Sequence, residues 1–144
     1  GFSYLHLACQ SATCFAKRSD YVDAVKLILK YSPRDIIFKT DKKGGSCLHA
    51  ACEEGELEVA SLLAEVGGQQ LMCMETPEGC TCLHVAIASH HTKIVEMLIR
   101  AGGDELVQQH NRGLTHLHTA CEHDSTEAVK LLLEAGGERL MTRR

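Results

Sequence analysis

The densest set of metal-ligating side chains lies in HLHTACEH, residues 116–123, which holds His116, His118, Cys121 and His123. Thiolate and imidazole are the donors zinc prefers, and a structural zinc site takes four of them in a tetrahedron. On a helix His118 and Cys121 share a face, whereas His116 and His118 point to different sides and His123 joins them only if the helix ends early. Cys80 and Cys82 flank a single residue instead of forming C-x-x-C, and Cys14 and Cys73 stand alone, so neither a zinc ribbon nor a dithiol redox motif is written. His90 and His91 offer two imidazoles for acid–base work. No nucleophile elbow, phosphate loop, dinucleotide fingerprint or zinc-protease helix accompanies them.

The same phrase recurs elsewhere: GFSYLHLAC at 1, GGSCLHAAC at 44, GCTCLHVAI at 79 and GLTHLHTAC at 113. Its Leu-His pair places Leu5, Leu48, Leu83 and Leu117 in register, 43, 35 and 34 residues apart. Periods of this length mark a stacked repeat protein. Equivalent positions in stacked units lie on the order of 10 Å apart, whereas ligands of one ion sit within roughly 4 Å of each other. His6, His49, His84 and His118 therefore cannot share a metal. Cys9, Cys52 and Cys121 occupy one repeat position that carries Ile87 in the third copy, so that position is expected to be apolar and packed. His90 and His91 align with Gly55 and Glu56, in a turn between helices.

Each phrase begins with Gly and sets Ser3, Ser46, Thr81 or Thr115 two residues on, where a hydroxyl accepts a backbone N–H and starts a helix. A second helix follows, with apolar residues at i, i+3, i+4 and i+7: Ala24, Leu27, Ile28 and Tyr31; Val59, Leu62, Leu63 and Val66; Ile94, Met97, Leu98 and Ala101; Ala128, Leu131, Leu132 and Ala135. Gly67 with Gly68, Gly102 with Gly103 and Gly136 with Gly137 end it in three copies, and Pro33 in the first. Aliphatic pairs (Ile36 with Ile37, Leu71 with Met72, Leu106 with Val107) then lead to the polar turns DKKG at 41, TPEG at 76 and HNRG at 110. Two short helices cannot bury their apolar faces alone, so neighbouring units must stack.

At 144 residues, with 44% hydrophobic and 24% charged positions, the composition is that of a folded soluble domain. No apolar run approaches the roughly 20 residues of a bilayer span, and the first residues do not read as a signal peptide. The net charge of −4 and scattered basic residues exclude a nucleic-acid-binding surface. The periodic aliphatic core makes disulfide staples unnecessary, so the eight cysteines are expected to be reduced and the protein intracellular, in the cytoplasm.

The stretches SYLHLA, SCLHAA, TCLHVA and THLHTA, followed by VDAVKLIL, LEVASLLA, TKIVEMLI and TEAVKLLL, resemble the ankyrin repeat. The resemblance implies an all-α repeat solenoid, a right-handed stack with short hairpin-like turns, forming one domain over 1–144 with units near 1–40, 41–75, 76–109 and 110–144. The Pro that usually follows the capping Thr is replaced by Tyr4, Cys47, Cys82 and His116. For His6, His49, His84 and His118 the family implies a structural role, each ring bonding to the cap and neighbouring turn backbone.

The resemblance also implies non-catalytic binding of a protein or peptide on the concave face, with no cofactor, no nucleic acid and no membrane. Carried over position by position, the contacts are Phe2, Gln10 and Ser11; Lys42, Lys43, Gly45, Glu53 and Glu54; Pro77, Glu78, Cys80, Ala88 and Ser89; and Asn111, Arg112, Leu114, Glu122 and His123. The long first spacing reflects eight extra residues between the first two helices, an insertion over 12–19 in which Phe15 beside Lys17 and Arg18 is expected to form a second contact site. The start within a turn at Gly1 and the end at MTRR read as a segment of a longer array or multidomain chain. Two alternatives stand: a Cys/His metal or redox module around Cys121, and a structural spacer.

Overall fold

The computed structural model describes residues 4–10, 18–108, 110–111 and 114–136. Four helix pairs succeed one another: α1 (Tyr4–Gln10) with α2 (Arg18–Tyr31), α3 (Cys47–Glu54) with α4 (Leu57–Met72), α5 (Cys82–Ala88) with α6 (Thr92–Gln108), and α7 (His116–Glu122) with α8 (Thr126–Gly136). The first helices pack in sequence, α1 on α3, α3 on α5 and α5 on α7, and the second helices form a parallel layer of α2, α4, α6 and α8. This is the all-α repeat stack that the spacing predicts. No helix among the described residues is long and apolar enough to cross a membrane.

Local chemistry starts each first helix. Ser46 and Thr81 sit in extended backbone, and their hydroxyls accept the N–H of His49 and His84. The same His rings return a bond to the backbone N–H of the cap, at 3.3 Å for His49 and 3.2 Å for His84. The capping box is thus closed by His in place of the usual Glu or Gln, and Thr115 with His118 repeats it.

Gly67 with Gly68 and Gly102 with Gly103 break the second helices, as predicted, but a further helical turn follows; Gly137 lies outside the described residues. Gly68 takes φ 60° and ψ −156°, a region open essentially to Gly alone. A Cβ on Gly67 would lie 2.5 Å from the Leu71 side chain. The pair therefore turns the chain and lets Leu71 fold back, and Leu71 and Met72 are buried on the extra turn. Gly103, Leu106 and Val107 repeat the arrangement in the third unit. In the first, Pro33 introduces a 3-10 helix, Arg34–Phe38, with Ile36 and Ile37 inside.

The i, i+3, i+4, i+7 reading needs correction at its ends. Val59 with Leu63, Ile94 with Leu98 and Ala128 with Leu132 are buried, but Val66, Ala101 and Ala135 are exposed. In α2 the face is rotated: Tyr21, Val22 and Val25 are buried, whereas Leu27 and Tyr31 are 56% and 77% exposed. Among the described elements α2 packs chiefly on α1 and α4. The Tyr21 hydroxyl donates to the Cys9 carbonyl at 3.2 Å and ties α2 to α1.

Candidate partner-binding groove

The motif histidines reach from one unit to the next. His49 takes the Ser46 hydroxyl and N–H at Nδ1, which leaves the ring proton on Nε2 to be donated to the Cys80 carbonyl at 3.1 Å. His6 Nε2 makes the corresponding bond to the Gly45 carbonyl at 3.1 Å. Each ring thereby fixes the following turn, held internally by its own side chains. Asp41 Oδ1 accepts the N–H groups of Lys43 and Gly45 at 2.8 and 2.9 Å, and Thr76 Oγ1 accepts that of Cys80 at 3.2 Å. Antiparallel bridges Thr40–Ser46 and Glu75–Thr81 close two of these fingers, and β1 (His110–Asn111) with β2 (Leu114–Thr115) forms the third.

Between the first two of these fingers, 40–46 and 75–81, and the helices behind them, α3 and α5, lies a groove of about 460 Å³. It gathers Lys43, Gly45, Glu53, Glu78, Cys80, Ala88 and Ser89 from the contacts implied by sequence, together with Asp41, Ser46, His49, Ala50, Thr76 and Val85. The spacing of Val85 with Ala88, i and i+3 on α5, was the available signal for the apolar floor. Lys42, Glu54 and Pro77 are exposed beside the groove, and Glu122 and His123 are exposed at the end of α7. Gln10, Asn111 and Leu114 are placed by their backbones in α1, β1 and β2. Phe2, Ser3, Ser11, Arg112 and residues 12–17 of the insertion, including Phe15, lie outside the described residues, and Arg18 opens α2. A larger, shallower valley between the outer helices, lined by Val22, Leu57, Leu62 and Met97 among others, includes none of the implied contacts.

The Cys and His chemistry resolves differently. His116 is fully buried. Its Nδ1 meets the Val107 carbonyl at 3.1 Å and must donate, while Nε2 lies 3.0 Å from Thr81 Oγ1. Both nitrogens are committed to the preceding unit, and the ring lies against His84 with centroids 3.9 Å apart. His118 is exposed, with Nδ1 on Thr115. Among the described residues no group of three or more His, Cys, Asp or Glu is placed to hold a metal.

Cys9 and Cys52 are buried, as Ile87 is, but the packing expectation fails for Cys121, which is exposed. The following repeat covers this position in the first three units, and no described element covers it in the fourth. Cys47 and Cys82, fully buried, donate from Sγ to the carbonyls of Ile37 and Met72. Burial pushes the Cys47 thiol up to about 12 and raises Cys9 as well. In Cys52 the hydrogen bond with Cys82 raises the thiol first and burial next. Cys9, Cys47 and Cys52 stay protonated and behave as small apolar groups.

His91 is more than a solvated turn residue: its Nε2 donates to the Glu53 carbonyl at 3.0 Å, across the repeat interface. His90 is exposed at φ 60°, where the second unit has Gly55 at φ 78°. A side chain at left-handed φ is strained, so His90→Gly is expected to raise stability by roughly 0.5 kcal/mol after the entropic cost of Gly. A urea midpoint unchanged or lowered would remove that reading of the turn.

A family model for ankyrin repeats, in three copies, matches residues 66–143. A comparison with curated proteins returns no match.

Proposed function

Because the chain belongs to the ankyrin-repeat family, whose stacked units generally serve as protein–protein interaction modules, we propose that it is a non-catalytic scaffold binding a protein or peptide on its concave surface, centred on the groove between the 40–46 and 75–81 fingers. The observation that carries this is the convergence there of seven implied contacts from two repeats, Lys43, Gly45 and Glu53 with Glu78, Cys80, Ala88 and Ser89, around an apolar floor. Fingers and helices hold the surface rigid through the His49 bond to the Cys80 carbonyl. A preformed surface loses little ordering entropy when a partner docks.

The buried, protonated thiols fit an intracellular protein that uses Cys for packing. The metal or redox alternative has less support, because His116 is committed to Val107 and Thr81 while Cys121 faces outward. Ala88→Tyr fills the groove without adding charge, and Lys93→Glu alters the outer helices. Quantified affinity capture from a cell lysate is expected to lose its specific partner with Ala88→Tyr and keep it with Lys93→Glu. The opposite pattern would move the site to the outer face. Elemental analysis after metal-free purification separates the alternative: one zinc per chain, lost in Cys121→Ala, would establish it.

A further inference from the structure

Building on that reading, we infer that the groove receives a basic residue, arginine or lysine, of an extended partner peptide. Its floor is short and apolar, formed by Ala50, Val85 and Ala88, a surface suited to the methylene stem of a long cationic side chain whose charged head stays at the rim. The rim is acidic. Glu53 and Glu78 line it from opposite repeats with exposed carboxylates. Asp41 adds a third negative charge while its Oδ1 holds the turn through two backbone N–H groups. Lys43 is the one Lys or Arg among the described lining residues.

Both ends of α3, the Ser46 cap and Glu53 in the last turn, line the groove, so the helix dipoles largely cancel there. Side-chain charge therefore selects a cation, and the floor selects one with an apolar stem. An acidic peptide would meet a field of its own sign. The volume of about 460 Å³ lies within the range of specific ligand pockets.

Twelve-residue peptides selected by phage display on the immobilised full chain, then synthesised with a fluorescein label and titrated by anisotropy, supply the test. Selected peptides are expected to share an Arg or Lys whose change to Gln weakens binding at least about tenfold. Glu53→Lys combined with Glu78→Lys is expected to cost a similar factor and Lys43→Glu to tighten binding about threefold, both effects shrinking as salt rises. Ala88→Tyr should abolish binding. These positions are surface-exposed or part-exposed, and an unchanged urea midpoint verifies that each variant folds. Peptides lost to Ala88→Tyr that carry no basic residue, or that ignore the charge reversals, would overturn the cationic assignment and leave the groove standing. Peptides indifferent to Ala88→Tyr would overturn both.

Discussion

Replacing His49 with alanine is expected to lower the unfolding free energy by about 3 kcal/mol, because it strands polar groups on both sides of a repeat interface. The ring is 5% exposed and serves three partners: the Ser46 N–H at 3.3 Å, the Ser46 hydroxyl at 2.8 Å and the Cys80 carbonyl at 3.1 Å. An unsatisfied buried donor or acceptor costs roughly 1–3 kcal/mol, and water reaching the site from the groove offsets part of it. Glutamine at this capping-box position can reach back to the Ser46 N–H but is too short to bridge to the Cys80 carbonyl of the next finger. His49→Gln is therefore expected to cost about half as much. In a quasi-linear stack stability is a sum of unit and interface terms, so His49→Ala should also broaden the urea transition as the two halves uncouple. A loss below about 1 kcal/mol with an unchanged slope would show that the His–carbonyl bridge contributes little.

The fully buried His116 should make the protein acid-sensitive, and His116→Cys should relieve it. Burial, and then the neighbouring His84 ring, hold His116 down at about 3, against 6.5 for an ordinary histidine. Between those values the unfolded chain binds a proton that the native state refuses, so stability falls with pH from about 6.5 downward and levels off below about 3. The slope is about 1.4 kcal/mol per pH unit, so moving from pH 7.5 to 5.0 removes about 2 kcal/mol through this group. His49, lowered chiefly by its burial, acts in the same direction in both proteins and cancels in the comparison. Cysteine is the natural replacement, since Cys47 and Cys82 fill the equivalent positions and donate to the preceding carbonyl. Urea midpoints at the two pH values are expected to diverge by about 2 kcal/mol in favour of His116→Cys at pH 5.0. Parallel losses would mean that His116 is not held neutral.

His49 bridges from its own cap to the next finger, so the interaction that closes a helix N-terminus also sets the spacing of the groove walls. A change at His49 is thus expected to act on binding as well as stability. Glu53 and Glu78 are exposed, and altering them is expected to leave the stack intact.

The repeat, the helix starts and the helix stops were legible in the sequence because they depend on neighbours within a few residues. Ser46, Thr81 and Thr115 cap because a hydroxyl reaches an N–H three residues on, and Gly68 and Gly103 break helices through their own backbone freedom. The aliphatic pairs Leu71 with Met72 and Leu106 with Val107 were recognisable, but not the helical turn that carries them, since it forms only when Leu71 and Leu106 fold back over Gly67 and Gly102. Single repeats show Lys43 or Ala88 as surface positions, while the groove exists only where two repeats face each other.

What the sequence by itself determined is the four-unit register, the all-helical class and the capping chemistry, all set by local periodicity and short-range hydrogen bonds. Tertiary structure alone decided that His116 is buried against His84 while Cys121 is exposed, that Tyr21 turns inward in place of Leu27 and Tyr31, and that His91 bonds to the Glu53 carbonyl. Each of these depends on which neighbour covers a given face and which carbonyl comes within reach, and that is fixed only when the units stack.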